Sequence, residues 1–171
     1  MTLILHSFSM PTIELKTKIK APVERCFLLS LSVEIHTLST KETNERAIAG
    51  VTSGLMKLND VVTWRAKHFG IYQNFTSVIS AYEAPKYFIS EMVKGAFKKL
   101  HHQHIFESVN GETMMTDIFS FKAPLGILGD LVSFLVLKNY MRGFLIKRNQ
   151  TIKEVAEGDE WKKLLNGHQP L

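Results

Sequence analysis

The chain has 171 residues, 45% hydrophobic and 22% charged, which suits one globular domain with a sizeable core and excludes a disordered or low-complexity chain. Its formal charge of +5 is spread along the sequence, with no cluster longer than Lys98-Lys99 or Lys147-Arg148, so no nucleic-acid partner is expected. The single cysteine, Cys26, can form no internal disulfide; in the apolar run Arg25-Cys26-Phe27-Leu28-Leu29 it reads as a small buried hydrophobe of a cytoplasmic protein.

Residues 1–10 do not share the pattern that follows and read as an N-terminal extension. Their apolar part is too short for a signal peptide. From Ile13 to Ile19 apolar residues alternate with Glu14, Lys16 and Lys18, the period of a half-exposed strand. Pro22 then opens a short helix through Leu29, and Ser32 caps a second through Leu38. Glu45 to Val51 reads as a short strand. After the Asn59-Asp60 turn come strands at Val61–Phe69 and Ile71–Tyr82, broken by Gly70. Glu83-Ala84-Pro85 is a turn before Tyr87–Val93. Asn110-Gly111, the strongest hairpin signal in the chain, joins Lys98–Val109 to Thr113–Lys122.

Past Pro124 the period changes to that of a helix. Leu131, Phe134, Leu137, Met141, Phe144, Arg148, Ile152 and Val155 recur at spacings of three and four, forming one stripe on a helix from about Ile127 to about Glu157. Gly158-Asp159 stops it, leaving residues 159–171 as a C-terminal tail. No segment reaches the ~20 apolar residues of a spanning helix. The richest, Leu125–Leu137, is broken by Gly126, Gly129, Asp130 and Ser133, so no stable membrane insertion is expected.

This order predicts an α+β fold of one domain over residues 11–158. A curved antiparallel sheet of about six to seven strands wraps around the long C-terminal helix, with two short helices after the first strand. The concave space between sheet and helix is the natural place for a small ligand.

Four stretches strengthen the expectation: Val62-Thr63-Trp64-Arg65-Ala66-Lys67-His68-Phe69-Gly70, Glu91-Met92-Val93-Lys94-Gly95-Ala96-Phe97, His102-Gln103-His104-Ile105-Phe106, and Asp117 to Gly129. Together with the order of elements they resemble the SRPBCC superfamily, also called START-like or helix-grip, and within it a bacterial branch of which many members have no assigned activity. The resemblance spans roughly residues 10 to 157. It implies a pocket for lipids, sterols, polyketides or other apolar compounds, and it does not choose among them.

Alternation along the strands assigns the inner face. Arg65 and Lys67 face solvent, which turns Trp64 and His68 inward; Phe75, Phe88, Met92, His102, His104, Asp117, Phe119 and Phe121 follow on the neighbouring strands, and Phe134, Met141 and Phe144 on the helix. These thirteen are the candidate ligand-binding residues. His68, His102, His104 and Asp117 are costly inside an apolar space unless paired. They either fix a polar group of the ligand or, for Asp117 and a nearby histidine, satisfy each other across the hairpin. Arg148, on the apolar stripe, is a partner for an inner acid or snorkels at the rim.

Neither a metal nor another cofactor is expected. His102 and His104 share one side of a strand and His101 the other, so two imidazoles fall short of a zinc site, with His68 the only further candidate. No Gly-x-Ser-x-Gly elbow is present, Gly126 and Gly129 lack the lysine of a phosphate loop, and no catalytic residue is expected. The leading function is binding or transport of an apolar small molecule. The alternatives are a cyclase- or dehydratase-like enzyme using a His/Asp pair in the same pocket, and a protein-interaction module with a filled core.

Overall fold

The computed structural model describes residues 10–122 and 136–165. Strand β1, Thr12–Ile19, buries Ile13, Leu15 and Ile19 and exposes the charged residues between them, as its alternation demands. Helix α1, Val23–Leu31, follows with Pro22 at its N-cap. Ser32 separates it from α2, Val33–Ser39, and accepts a hydrogen bond from the Ile35 amide, satisfying one of the donors a helix start leaves free.

Six strands come next: β2 at Arg46–Gly50, β3 at Val61–His68, β4 at Ile71–Glu83, β5 at Tyr87–Lys94, β6 at Lys99–Val109 and β7 at Glu112–Lys122. All seven strands pair antiparallel in one sheet of order β1-β7-β6-β5-β4-β3-β2. Register shifts at Ala47/Ala49, Thr76/Ser77 and Ile79/Ala81 mark bulges, which bend the strands that carry them. Asn110 and Gly111 both take positive φ, the two-residue turn their sequence predicts. Phe69 and Gly70 do the same, so β3 stops at His68, one residue earlier than alternation suggests; the turn takes Phe69, a bulky residue in the left-handed region.

Helix α3, Lys138–Glu157, ends where the Gly158 amide bonds back to the Glu154 carbonyl. It packs against β1, α1 and α2. The first part of the expected long helix, with Leu131 and Phe134, and the 123–129 end of the fourth motif lie outside the described residues. The beginning of the expected tail is the short helix α4, Trp161–Leu164, and is not free: Arg25 lies over the Trp161 ring at 3.9 Å and Leu165 is buried.

The core has two parts. One gathers Phe27, Leu29, Ile35, Met115, Ile152 and Val155 where the helices meet the sheet. The other gathers Ile13, Leu15, Leu100, Phe119, Phe121 and Leu145. Cys26 is wholly buried in the first, and burial pushes its thiol pKa up, so it packs as a hydrophobe. The loop before β3 is stitched to the junction of the short helices. Gly54 N–H donates to Glu34 Oε1 at 2.8 Å, Val33 N–H to the Gly54 carbonyl at 3.0 Å, and Met56 N–H to the Leu31 carbonyl at 3.1 Å. These bonds hold α1 and α2 across one end of the space between sheet and α3.

Candidate functional site

That space contains a cavity of about 260 Å³. Its walls are mostly apolar: Trp64, Ala66, Phe75, Ile79, Phe88 and Phe119 from the sheet, Leu31, Val33 and Met56 from the short helices and their loop, and Leu137, Met141, Phe144 and Leu145 near the start of α3. The single stripe of α3 changes its task along its length. Up to Arg148 it is cavity wall; from Ile152 onward it is solid core.

Where the stripe changes, a polar cluster closes the inner end. Asp117 is fully buried. It receives hydrogen bonds from His102 Nε2 at 2.8 Å and from Asn149 Nδ2 at 2.7 Å, and His104 Nδ1 lies 2.7 Å from the same oxygen as His102. The His104 contact lies off the line of a hydrogen bond, leaving that nitrogen buried and without an aligned partner. Pairing of β6 with β7 sets Asp117 opposite His104, so antiparallel register builds the cluster directly. The His104 ring also stacks on Phe88 at 4.3 Å.

Charge in the cluster follows from these contacts. Burial alone would raise the Asp117 pKa, but the hydrogen bond from His102 and the close approach of the His104 ring overrule it and hold the carboxyl well below its ordinary 3.8. Burial pushes His102 and His104 below 6.5, His104 further because His102 and Arg148 stand beside it. Both are therefore neutral at pH 7. His102, donating through Nε2, keeps Nδ1 as an acceptor.

A stability prediction follows. Above pH 6.5 these histidines are neutral folded and unfolded. Below it the unfolded chain takes up protons that the folded chain refuses, so stability falls as pH falls from 6.5. Asp117 adds a second loss only below 3.8, as pH drops toward its depressed folded value. Thermal unfolding from pH 8 to 4 should show a melting temperature that is level above about 6.5 and declines below it, and His104→Gln should flatten the decline. A melting temperature unchanged between pH 7.5 and 5 would contradict the neutral, buried histidines.

The outer part of the cavity carries a second polar group. His68 Nδ1 and the Tyr140 hydroxyl share a hydrogen bond of 2.7 Å that ties β3 to α3, and the exposed Phe69 ring lies 4.7 Å from Tyr140. Burial lowers the His68 pKa as well. On another part of the wall, half-buried His36 stacks on Trp64 at 4.0 Å with its Nε2 3.2 Å from the buried Glu45 carboxylate.

Of the thirteen residues chosen from sequence, Trp64, His68, Phe75, Phe88, His102, His104, Phe119, Met141 and Phe144 line the cavity. Phe134 lies outside the described residues. Met92, Asp117 and Phe121 are on the expected face but not on the wall: Met92 and Phe121 pack in the second core cluster, and Asp117 sits behind His102, which bonds to it, and His104. Sequence reasoning passed over His36, Glu45, Tyr140 and Asn149. Nothing in their spacing signals them, because each meets its partner only across the fold.

The metal reading changes in one respect. A carboxylate does join His102 and His104, in Asp117 from the next strand, and one ligand atom from each lies within 4.8 Å of the others. The Arg148 guanidinium, 3.7 Å from Asp117, already places a positive charge at that carboxylate and would repel an added metal ion.

No family model matches the chain, and no curated relative does. Solved structures match over nearly its whole length. Ginseng major latex-like protein 151 from Panax ginseng is 15% identical with a TM-score of 0.65, over 87% of this chain and 99% of its own. A START superfamily protein from Mycobacterium smegmatis is 11% identical with a TM-score of 0.65, over 85% and 97%. The chain has the START-like, helix-grip fold. A Thermus thermophilus protein, 16% identical with a TM-score of 0.65 over 83% of this chain and 97% of that one, shares it. At such identities the likeness concerns the helix-grip fold, the one the sequence motifs imply, and function has to be argued from the cavity itself.

Proposed function

We propose that this protein binds or carries an apolar small molecule in the cavity between sheet and α3. The observation that carries the reading is a mostly apolar space of about 260 Å³ with polar groups confined to defined places on its wall. That volume lies just below the usual ~300–1,000 Å³ of small-molecule sites, which points to a compact ligand. An unfilled cavity counts against an interaction module with a filled core. The His/Asp pair that a cyclase- or dehydratase-like reaction would use is arranged for holding: Asp117 is behind the wall and fully bonded. No helix among the described residues is long and apolar enough to cross a membrane, and the buried thiol of Cys26 fits a cytoplasmic site of action.

The test is native mass spectrometry of the freshly purified protein, followed by organic extraction. A bound apolar molecule is expected. Ala66, buried between Trp64 and His68 on the cavity wall, is the residue to enlarge. Ala66→Phe projects a ring into empty space and should reduce ligand occupancy at least about tenfold while the protein stays folded, since filling a void avoids the usual ~1–3 kcal/mol cost of overpacking. A bare mass for the unaltered protein, with no thermal shift across a panel of lipids and aromatic compounds, would sink the reading.

A further inference from the structure

Arg148 is a buried cation held only by long contacts among the described residues. It is 6% exposed and forms part of the cavity wall. All its polar contacts among the described residues are long: 3.5 Å from Nη1 to Asn149 Oδ1, 3.4 Å from Nη2 to the Ser30 carbonyl, and 3.7 Å from Nη1 to Asp117 Oδ1. Charged N–H···O bonds are ordinarily ~2.7–2.9 Å, and a guanidinium has five donors to place. Asp117, the nearest anion, is occupied elsewhere, with His102 and Asn149 bonded to its two oxygens at 2.8 and 2.7 Å. The acid does not need the arginine, and among the described residues the arginine has no charged acceptor at bonding distance. Burying such a cation without a well-formed ion pair is costly, and the cost is recovered when an anion arrives in the right geometry.

We propose that Arg148 anchors the ligand by a carboxylate, so that the molecule bound is a compact apolar acid rather than a neutral compound. This rests on the ligand-binding reading above and names its ligand class. The planar fork of a guanidinium matches a carboxylate through two parallel N–H···O bonds. The cluster of Arg148 and Asp117 is already neutral, so a carboxylate leaves it one net negative charge and a phosphate nearly two, which disfavours the phosphate. The apolar part of the acid lies along Met141 and Phe144, two turns and one turn before Arg148 on α3, against Phe88 and Phe119 of the sheet. The Ser30 carbonyl at the end of α1 keeps the guanidinium oriented while the cavity is vacant.

The experiment is isothermal titration calorimetry of the full chain with three probes of equal chain length: decanoate, decan-1-ol and decyl phosphate. Decanoate should bind at least about tenfold more tightly than either of the others, since a bond to a charged partner is worth that much more than one to a neutral group. In Arg148→Gln the preference for decanoate over decan-1-ol should vanish, because the glutamine amide has neither the charge nor the guanidinium fork. Arg148→Lys keeps the charge and loses the fork, and covers the case in which the glutamine variant does not fold; its preference for decanoate should fall at least about threefold. Equal binding of decanoate and decan-1-ol by the unaltered protein overturns the anchor and leaves the apolar-cavity reading standing. Binding of none of the three overturns both. A decanoate preference that survives in Arg148→Gln places the anion elsewhere and overturns the assignment to Arg148.

Discussion

Replacing Asp117 by alanine is expected to destabilise the protein by about 3–5 kcal/mol, the range found when one partner of a buried ionic cluster is removed. The cost does not come from the carboxylate-sized void alone. His102 Nε2 and Asn149 Nδ2 lose the oxygens they donate to, and Arg148 loses the only negative charge within 4 Å of it among the described residues. His102 then loses its acceptor, Asn149 is left with the Thr17 hydroxyl and Arg148 with long bonds to neutral oxygens. Asp117→Asn keeps the shape and one acceptor oxygen, so it should cost less, and the difference between the variants separates lost charge from lost hydrogen bonds. Urea unfolding followed by circular dichroism measures both. A loss below about 1 kcal/mol for the alanine variant would mean that the cluster rearranges or that water reaches it, and the buried network described above would have to be given up.

Phe27→Ala should be comparably severe, about 3–5 kcal/mol, for a different reason. Phe27 is fully buried on α1 and meets three rings edge-on: Tyr82 at 5.3 Å, Phe106 at 5.4 Å and Phe88 at 5.8 Å. Its removal leaves an apolar hole at the point where the first short helix is pinned to the sheet. Phe88 lies between that cluster and the cavity, touching Phe27 on one side and stacking on His104 on the other. Loss of Phe27 is therefore expected to weaken ligand binding as well as the fold, though the altered residue is not on the cavity wall. Chemical denaturation checks the first part, and titration with the extracted ligand at a temperature where the variant is folded checks the second. A variant as stable as the parent would require the three neighbouring rings to close over the space, which the close packing of interiors makes costly.

The two polar places on the cavity wall differ in what they can do. The inner cluster is neutral overall near pH 7, with Asp117 ionised, both histidines uncharged and Arg148 cationic. Adding an anionic ligand there is acceptable because the guanidinium is short of close partners. The outer pair, His68 and Tyr140, spans from β3 to α3 beside the exposed turn at Phe69 and Gly70, so it links two walls of the cavity by a single hydrogen bond.

Much of this architecture was legible in the chain. Period-two alternation from Ile13 to Ile19 and around Trp64, the Asn110-Gly111 turn, and the three-and-four spacing from Leu137 to Val155 each record a local physical requirement: one buried face, a positive φ at two residues, one apolar stripe. The inward face of the sheet follows from the same alternation, which is why nine of the thirteen candidate residues reached the cavity wall. The sequence also marks Asp117 and the histidines as a group in need of partners, because ionisable side chains on an apolar face must be paired.

What the tertiary structure alone decided is which partner each group took and where the packing stops. Alternation cannot say that α3 is wall before Arg148 and core after it, since both halves carry the same stripe. It cannot place Met92 and Phe121 away from the cavity, because face is a property of the strand whereas distance from a void depends on how the sheet bends. His36 with Glu45, His68 with Tyr140, and Asn149 with Asp117 are separated by 9, 72 and 32 positions and meet only when helix and sheet are brought together. Local chain chemistry fixes periodicity within an element; contact between elements depends on register, curvature and crossing, which no single segment encodes. The shortage of close acceptors around Arg148 is of that second kind.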